Sequence, residues 1–347
     1  MAFVPSMRLA RITLMAAALG QGALCLAVFA PAPARAETPV HFTLDRKLDG
    51  AAAPFYLAID KGYYKAEGLD VTIDEATAPL EPIRRLAAGG YDMGAGDINV
   101  LIRYRDANPG TAVKALFAVF DKPAYAIVAR RSRGIAAPKD LEGKRLGAPS
   151  AEGTFAQWPI FAQVNGIDLA KVTVETIGLP VREPMLAAGE LDAVTAYSFT
   201  SYVDLKEAGV PPDDLVVLLM ADYGLKLYGN AIMASQHFAA AKPDAVRGFL
   251  RAYVRALKDT VRDPSRAVDS VVRRMASARK DVELERLTMA IRDNILTPAV
   301  QANGFGCIDP TRLAAAIDQL ALAYTFRAKD QAAEVFDPSF LPEAAER

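Results

Sequence analysis

Leu86-Ala87-Ala88-Gly89-Gly90-Tyr91-Asp92, "LAAGGYD", has an ungapped counterpart in Leu186-Ala187-Ala188-Gly189-Glu190-Leu191-Asp192, "LAAGELD". In both places a helix (Pro82 to Ala88; Glu183 to Ala188) runs into a glycine, the residue that most readily takes the left-handed turn ending a helix. A strand of small and apolar residues follows: Met93-Gly94-Ala95-Gly96 in one copy, Ala193-Val194-Thr195-Ala196 in the other. The first strand ends at Asp97 and the second at Tyr197, so these two residues hold equivalent positions.

Reading outward, "GYYKAEGLDVTI" (Gly62 to Ile73) and "NGIDLAKVTVETI" (Asn165 to Ile177) extend the similarity. Gly68-Leu69-Asp70 precedes a strand over Val71 to Ile73, and Gly166-Ile167-Asp168 one over Val172 to Ile177. Apolar helices come before them, Pro54 to Tyr64 and Phe155 to Val164. A short strand and a loop precede each helix: Phe42 to Leu44 with "DRKLDGAAA", and Arg145 to Ala148 with "PSAEGT". Each copy is therefore a βαβαβ unit, and such alternation implies parallel strands joined by right-handed crossovers. In open sheets of that kind ligands lie beyond the carboxyl ends of the strands. Two such lobes would face each other across a cleft walled by Asp45 to Pro54 and Asp97 to Asn99 on one side, and by Pro149 to Thr154 and Tyr197 to Thr200 on the other.

The chain passes between copies through an apolar strand at Tyr125 to Ala129, and "PKDLEG" gives a short helix over Lys139 to Glu142. Val216 to Met220 is a strand, and Gly229 to Ala234 a return strand; from Pro243 onward apolar residues recur at helical spacing. The expected architecture is α/β and two-lobed, each lobe a mostly parallel sheet flanked by helices. Residues 37–125 with 230–347 form lobe 1 and residues 126–229 form lobe 2, with mobile crossings near 125 and 229.

Composition narrows the classes. Of 347 residues 52% are apolar and 23% charged, so large cores can form. The net charge of −1 lacks the basic surplus of a nucleic-acid binder. Arg8 and Arg11 precede an apolar run from Ile12 to Ala30, followed by Ala34-Arg35-Ala36, the layout of a cleavable secretory leader cut after Ala36. Its removal takes away Arg8, Arg11 and Arg35 and no acid, moving the charge from −1 to −4. It also takes Cys25, leaving Cys307 alone and no internal disulfide, a pattern suited to the bacterial periplasm.

With these pieces in place, "APFYLAIDKGYYKAEGLDVTID", "LAAGGYDMGAGDIN", "GIAAPKDLEGKRLGAP" and "REPMLAAGELDAV" together resemble the NMT1/THI5-like substrate-binding proteins of bacterial ABC importers. That group includes binders of nitrate, alkanesulfonates, taurine and thiamine pyrimidine precursors. The resemblance implies a type II periplasmic binding fold, a small-molecule ligand, an inner-membrane ABC permease as partner, a monomer, and no nucleic acid and no cofactor. The eukaryotic pyrimidine synthases of the same family carry a CCCFC segment, where this chain reads "APSAEGTFAQW". Its only histidines are His41 and His237.

No zinc spacing, nucleophile elbow or phosphate loop is present, which favours binding over turnover. A pyrimidine-synthase-like enzyme and a bilobal sensory module are the alternatives. The candidate ligand residues are Asp45 and Arg46 after the first strand, Asp97 and Asn99, Ser150 and Thr154, Tyr197 and Thr200, and Asp222 with Tyr223 before the return crossing. Asp97 suits an N-cap, and Ser150 and Thr154 can also cap. Trp158 can stack on a flat ligand or pack in the core. Asp45, Asp97 and Asp222 favour a neutral or amine-bearing ring, whereas Arg46 and Arg182 would serve an anion.

Overall fold

In a computed structural model, which describes residues 36–150 and 153–347, strand β1 (Thr38–Thr43) lies parallel to β2 (Leu69–Asp74) and to β3 (Met93–Asp97). The leader expected over residues 1–36 lies, Ala36 excepted, outside the described residues. Helices α1 (Ala53–Asp60) and α2 (Tyr63–Ala66) connect β1 to β2, and α3 (Glu81–Ala87) connects β2 to β3. Gly68 and Gly89, at φ 72° and 73°, make the left-handed turns that release the chain from α2 and α3. Helix α4 (Ile98–Ala107) leaves β3 and leads to β4 (Val113–Ala118).

The second copy repeats the pattern. Strand β5 (Tyr125–Arg130) precedes it, then β6 (Arg145–Pro149), α5 (Trp158–Val164), β7 (Thr173–Ile177), α6 (Arg182–Ala188), β8 (Ala193–Tyr197), α7 (Ser198–Glu207) and β9 (Leu215–Leu219). Gly166 and Gly189, at φ 63° and 77°, stand where Gly68 and Gly89 do. The duplicated βαβαβ unit read from the sequence is thus present twice.

The return strand β10 (Asn230–Ser235) enters the first sheet. The two sheets, each of five strands, are ordered β2-β1-β3-β10-β4 and β7-β6-β8-β5-β9. Each has two parallel pairings from its βαβαβ unit and two antiparallel ones, made by β10 in the first and β5 in the second. The sheets are therefore mixed where the sequence reading has them mostly parallel. Each crossing strand completes the sheet it enters, so it runs against the unit already there.

The strand glycines read as packing requirements. A Cβ on Gly94 would meet the Thr43 side chain at 2.7 Å, so β1 and β3 approach closely only because β3 is nearly bare. Beyond β10 the chain is mostly helical: α8 (Gln236–Ala241), α9 (Pro243–Arg262), α10 (Pro264–Ala267), α11 (Asp269–Val272), α12 (Lys280–Ala290), α13 (Pro298–Asn303), α14 (Pro310–Leu320) and α15 (Ala332–Val335). Helix α9 lays Phe249 and Tyr253 on the first sheet, where Phe42, Phe55 and Tyr64 meet them with ring centroids 4.5 to 5.1 Å apart. No described helix is long and apolar enough to cross a membrane.

The crossings near 125 and 229 are buried and hydrogen-bonded to each other. Val119 and Phe120 donate backbone N–H groups to the Asn230 carbonyl at 2.8 and 3.0 Å, and Gly229 N–H donates to the Phe120 carbonyl at 3.0 Å. A Cβ on Gly229 would sit 2.9 Å from the Pro123 Cα, so the two crossing segments are in backbone contact. A strand leaving one sheet for another carries unpaired backbone groups, and pairing the two crossings satisfies them.

Candidate functional site

The carboxyl ends of the strands bring most of the candidate side chains together. Asp97 closes β3 and caps α4, its Oδ1 accepting from Asn99 N–H at 2.7 Å and Val100 N–H at 3.3 Å. Asn99 Nδ2 donates to the same oxygen at 3.0 Å and to the Tyr228 carbonyl at 2.7 Å. The other carboxylate oxygen accepts a short hydrogen bond from the Tyr125 hydroxyl. Tyr125 opens β5 in the second sheet, so this contact joins the two sheets at their strand tips. Burial raises the Asp97 pKa, and the donors from Tyr125 and Asn99 pull it partly back. Burial, reinforced by the Asp97 charge, holds the Tyr125 hydroxyl firmly protonated.

Tyr197, at the end of β8, faces Tyr125 with ring centroids 6.1 Å apart and Phe199 at 6.4 Å. The equivalent positions 97 and 197 are thus neighbours, bridged by Tyr125. On the first-sheet side Asp45 is buried, with Arg46 Nη1 at 2.9 Å and Asn230 Nδ2 at 2.6 Å. Asn230 stands opposite Asp97 in the β3–β10 register, which links the two acidic positions. Arg46 also reaches Asp49 at 3.0 Å, and its guanidinium lies 5.9 Å from the Phe120 ring and 5.7 Å from the Phe199 ring. Burial works against its charge, but Asp45 and Asp49 outweigh that and hold it above the ordinary arginine value.

The space beside Asp45, Arg46 and Phe120 is about 10 Å³, room for no more than about one water. Larger cavities flank the cluster. One of about 540 Å³ runs between α4 and the loop after β6, lined by Ser150 and Gly153. A Cβ on Gly153 would lie 3.2 Å from Asp97 Oδ2. Another of about 580 Å³ lies between α7 and α12, lined by Ser198 next to Tyr197 and by Asp222. Buried side-chain atoms on both sides have no hydrogen-bond partner among the described residues: Asn99 Oδ1 on one, and Thr154 Oγ1, Gln157 Oε1 and Ser198 Oγ on the other.

The remaining candidates lie outside the hydrogen-bonded cluster, Ser150 and Asp222 among them on the flanking cavities. Asp222 pairs with Lys122 at 2.7 Å. The Thr200 carbonyl accepts from Arg286 Nη1 at 3.1 Å. Tyr223 packs edge-on against Phe161 at 6.3 Å. Ser150 is exposed, and Thr154 makes no cap hydrogen bond. Trp158 is buried beside Phe161, a core residue. Arg182 is buried against Glu183 at 2.7 Å. His41 and His237 are exposed.

Sequence reasoning missed Tyr125, Phe120 and Asn230 as members of the cluster. Asn230 meets Asp45 from 185 positions away, so only the strand order could have paired them. It also missed Arg286 and Glu283 on α12, which bridge toward the site. Glu283 accepts from Gly50 N–H at 2.7 Å, while Arg286 reaches Asp204 on α7 at 2.6 Å and Glu283 at 3.4 Å. Among the described residues no group of three or more His, Cys, Asp or Glu could hold a metal ion.

Comparison with known proteins adds the lineage. A riboflavin-binding protein, RibY, of Chloroflexus aurantiacus is 29% identical over 246 residues, which span 67% of this chain and 66% of that protein. A 4-amino-5-hydroxymethyl-2-methylpyrimidine phosphate synthase of Schizosaccharomyces pombe is 27% identical over 61% of this chain and 62% of its own length. Both matches span just under two thirds of the relative's length. Among solved structures, the alkanesulfonate-binding protein SsuA of Xanthomonas axonopodis pv. citri, bound to MOPS, superposes with a TM-score of 0.64 at 17% identity, covering 87% of this chain and 98% of that one. That likeness establishes the periplasmic binding protein fold. The family model described as NMT1/THI5 like matches residues 50–267, from the loop after β1 into the helical region, and the chain belongs to that family.

Proposed function

We propose that this chain is the solute-binding component of an ABC importer. It is exported by cleavage after Ala36, works as a monomer, and hands a small molecule to an inner-membrane permease. Residues 37–125 with 230–347 act as one lobe and residues 126–229 as the other, moving about the paired crossings. One observation supports the reading: strand tips of both sheets meet at Asp97, Tyr125 and Tyr197, and close to them in the chain Asn99 Oδ1 and Ser198 Oγ are buried without a hydrogen-bond partner among the described residues. Such atoms are costly unless something completes their hydrogen bonds, and a polar ring compound held between Tyr125, Tyr197 and Phe199 would do so.

The ligand class is a flat ring bearing hydrogen-bonding nitrogen or oxygen. The acidic and amide groups Asp97, Asn99 and Asn230 suit it, and the relatives' names include a flavin and an aminopyrimidine. For capture rather than turnover stand the exposed His41 and His237, which adjoin none of the cluster residues in sequence or register.

A thermal-shift screen of purified residues 37–347 against flavins, pyrimidines, aromatic acids, sulfonates and nitrate tests this. A ligand at a hundred times its Kd adds about 2.7 kcal/mol to stability. At least one compound is expected to raise the Tm, and Tyr197→Ala is expected to abolish that rise. No shift with any compound, or an equal shift in the variant, would contradict the reading. Undiminished function of a His41→Ala, His237→Ala double variant would dispose of the synthase alternative.

A further inference from the structure

Helices α7 and α12 stand on opposite sides of the proposed lobe boundary, α7 within residues 126–229 and α12 within residues 230–347. Three ion pairs join them. Arg286 Nη2 reaches Asp204 Oδ1 at 2.6 Å, Lys206 Nζ reaches Glu285 Oε2 at 2.7 Å, and Arg279 pairs with Glu207. Between described residues, the one other ion pair that crosses this boundary is Lys122–Asp222 at 2.7 Å, beside the crossings. The cavity of about 580 Å³ lies in the same seam, walled by Ser198 and Tyr202 on α7 and by Leu284, Glu285 and Met289 on α12. Solvent reaches the outer pairs, whose four side chains are 31–60% exposed. Pairs of that kind are individually weak and fade in salt. Arg286 differs, for its side chain is only 10% exposed. It also donates to the Thr200 carbonyl at 3.1 Å, and Glu283 on its own helix stands 3.4 Å away. Charge-assisted hydrogen bonds around a nearly buried guanidinium are the stronger sort. Phe199 and Val203 of α7 join the apolar cluster of the first sheet, so the ion pairs add to a docking that apolar contact begins.

We infer that the α7–α12 ion pairs, with Arg286 at their centre, form a latch that favours the closed arrangement of the two lobes independently of solute. This rests on the proposed two-lobed solute-binding role and adds a control over when its cleft opens. Both helices of the latch lead into the strand-tip cluster. Helix α7 begins at Ser198, directly after Tyr197. On α12, Glu283 accepts from Gly50 N–H at 2.7 Å, and the neighbouring Asp49 holds Arg46 at 3.0 Å. Arg286 therefore lies between an acid that grips the loop after β1 in one lobe and an acid of the other lobe. Parting α7 from α12 breaks all three pairs together. Whatever screens or removes them shifts the protein toward the open arrangement.

Small-angle X-ray scattering on residues 37–347 without added ligand tests the latch, comparing wild type with an Asp204→Asn, Lys206→Gln, Glu207→Gln triple variant. All three substitutions are on α7, and Arg286 keeps Glu283 and the Thr200 carbonyl, so no buried charge is left alone. Circular dichroism and cooperative unfolding check that the variant folds, and the wild-type salt series decides the matter even if it does not. Raising NaCl from about 0.05 M to about 1 M shortens the Debye length to about 3 Å. The wild-type radius of gyration is expected to grow over that range at constant molecular mass. The variant is expected to show the larger radius already at low salt and to change little thereafter. A wild-type radius indifferent to salt, a folded variant with the wild-type radius at low salt, or a growth that tracks rising mass would overturn the latch. Failure of the two-lobed role reads differently. In that case no flavin, pyrimidine, aromatic acid, sulfonate or nitrate that raises the Tm alters the radius either. A radius that falls with such a compound yet ignores both salt and the substitutions rejects the latch alone.

Discussion

Asp97 does two things at once, and its substitution separates them. As an N-cap it satisfies the first N–H groups of α4, worth about 1 kcal/mol. As a buried acceptor it also holds Tyr125 and the Asn99 amide, whose loss would strand buried donors at roughly 1–3 kcal/mol. Asp97→Ala is therefore expected to lose about 2–4 kcal/mol in urea unfolding, and Asp97→Asn distinctly less, since asparagine still caps. Glu142 gives a pH test. Hydrogen bonds from Lys139 and from the Asp168 N–H lower its pKa to about 2 from an ordinary 4.5. A depressed carboxylate stabilises fully above its unfolded value and loses that contribution as pH falls. Stability should thus drop between about pH 4.5 and 2, and Glu142→Gln should flatten the drop in an acid titration followed by circular dichroism. The cap at Asp97 was legible in the sequence, because aspartate before a helix is a local signal. The Tyr125 bond was not, because nothing near either residue reports the partner strand.

Among elements, the duplicated strands and helices were readable because each follows from local physics: a glycine that stops a helix, then a short apolar run. What escaped the reading was which sheet each crossing strand joins, and the role of α12. Strand β4 lies in the apolar run "ALFAVF", which signals a strand without naming its neighbour. Helix α12 looks amphipathic in the sequence, yet it spans from Gly50 to α7 through Glu283 and Arg286, both nearly buried. Burial favours the neutral form of Glu283, and Arg286 opposes that shift. Arg286→Ala would strand this acid and release Asp204 and the Thr200 carbonyl, for a loss of about 3 kcal/mol measured by denaturant unfolding. Gly229→Ala presses a methyl into the Phe120–Pro123 crossing and should cost about 1–3 kcal/mol on the same assay. If that substitution were neutral, the backbone contact between the crossings would not constrain the fold.

At the scale of the molecule, a pocket built from the tips of two sheets can admit a ligand only by changing the distance between them. The roughly 10 Å³ beside Arg46 and Phe120 leaves no room for a ring compound while the tips stay joined through Asp97 and Tyr125. Parting the two sheets about the paired crossings would open that space, and closing them over a solute would give a permease a distinct surface to recognise. The two-lobed plan was visible in the repeat of the βαβαβ unit. The cluster at the strand tips was not, because Asp45, Asp97, Tyr125, Tyr197 and Asn230 come from five strands far apart in the chain. Small-angle X-ray scattering on residues 37–347, with and without the compound that raises the Tm most, addresses this most directly. The account predicts a smaller radius of gyration in the saturated protein, and no such change when Tyr197→Ala is given the same compound. An unchanged radius for wild-type protein at saturation would contradict closure of two lobes around a captured solute.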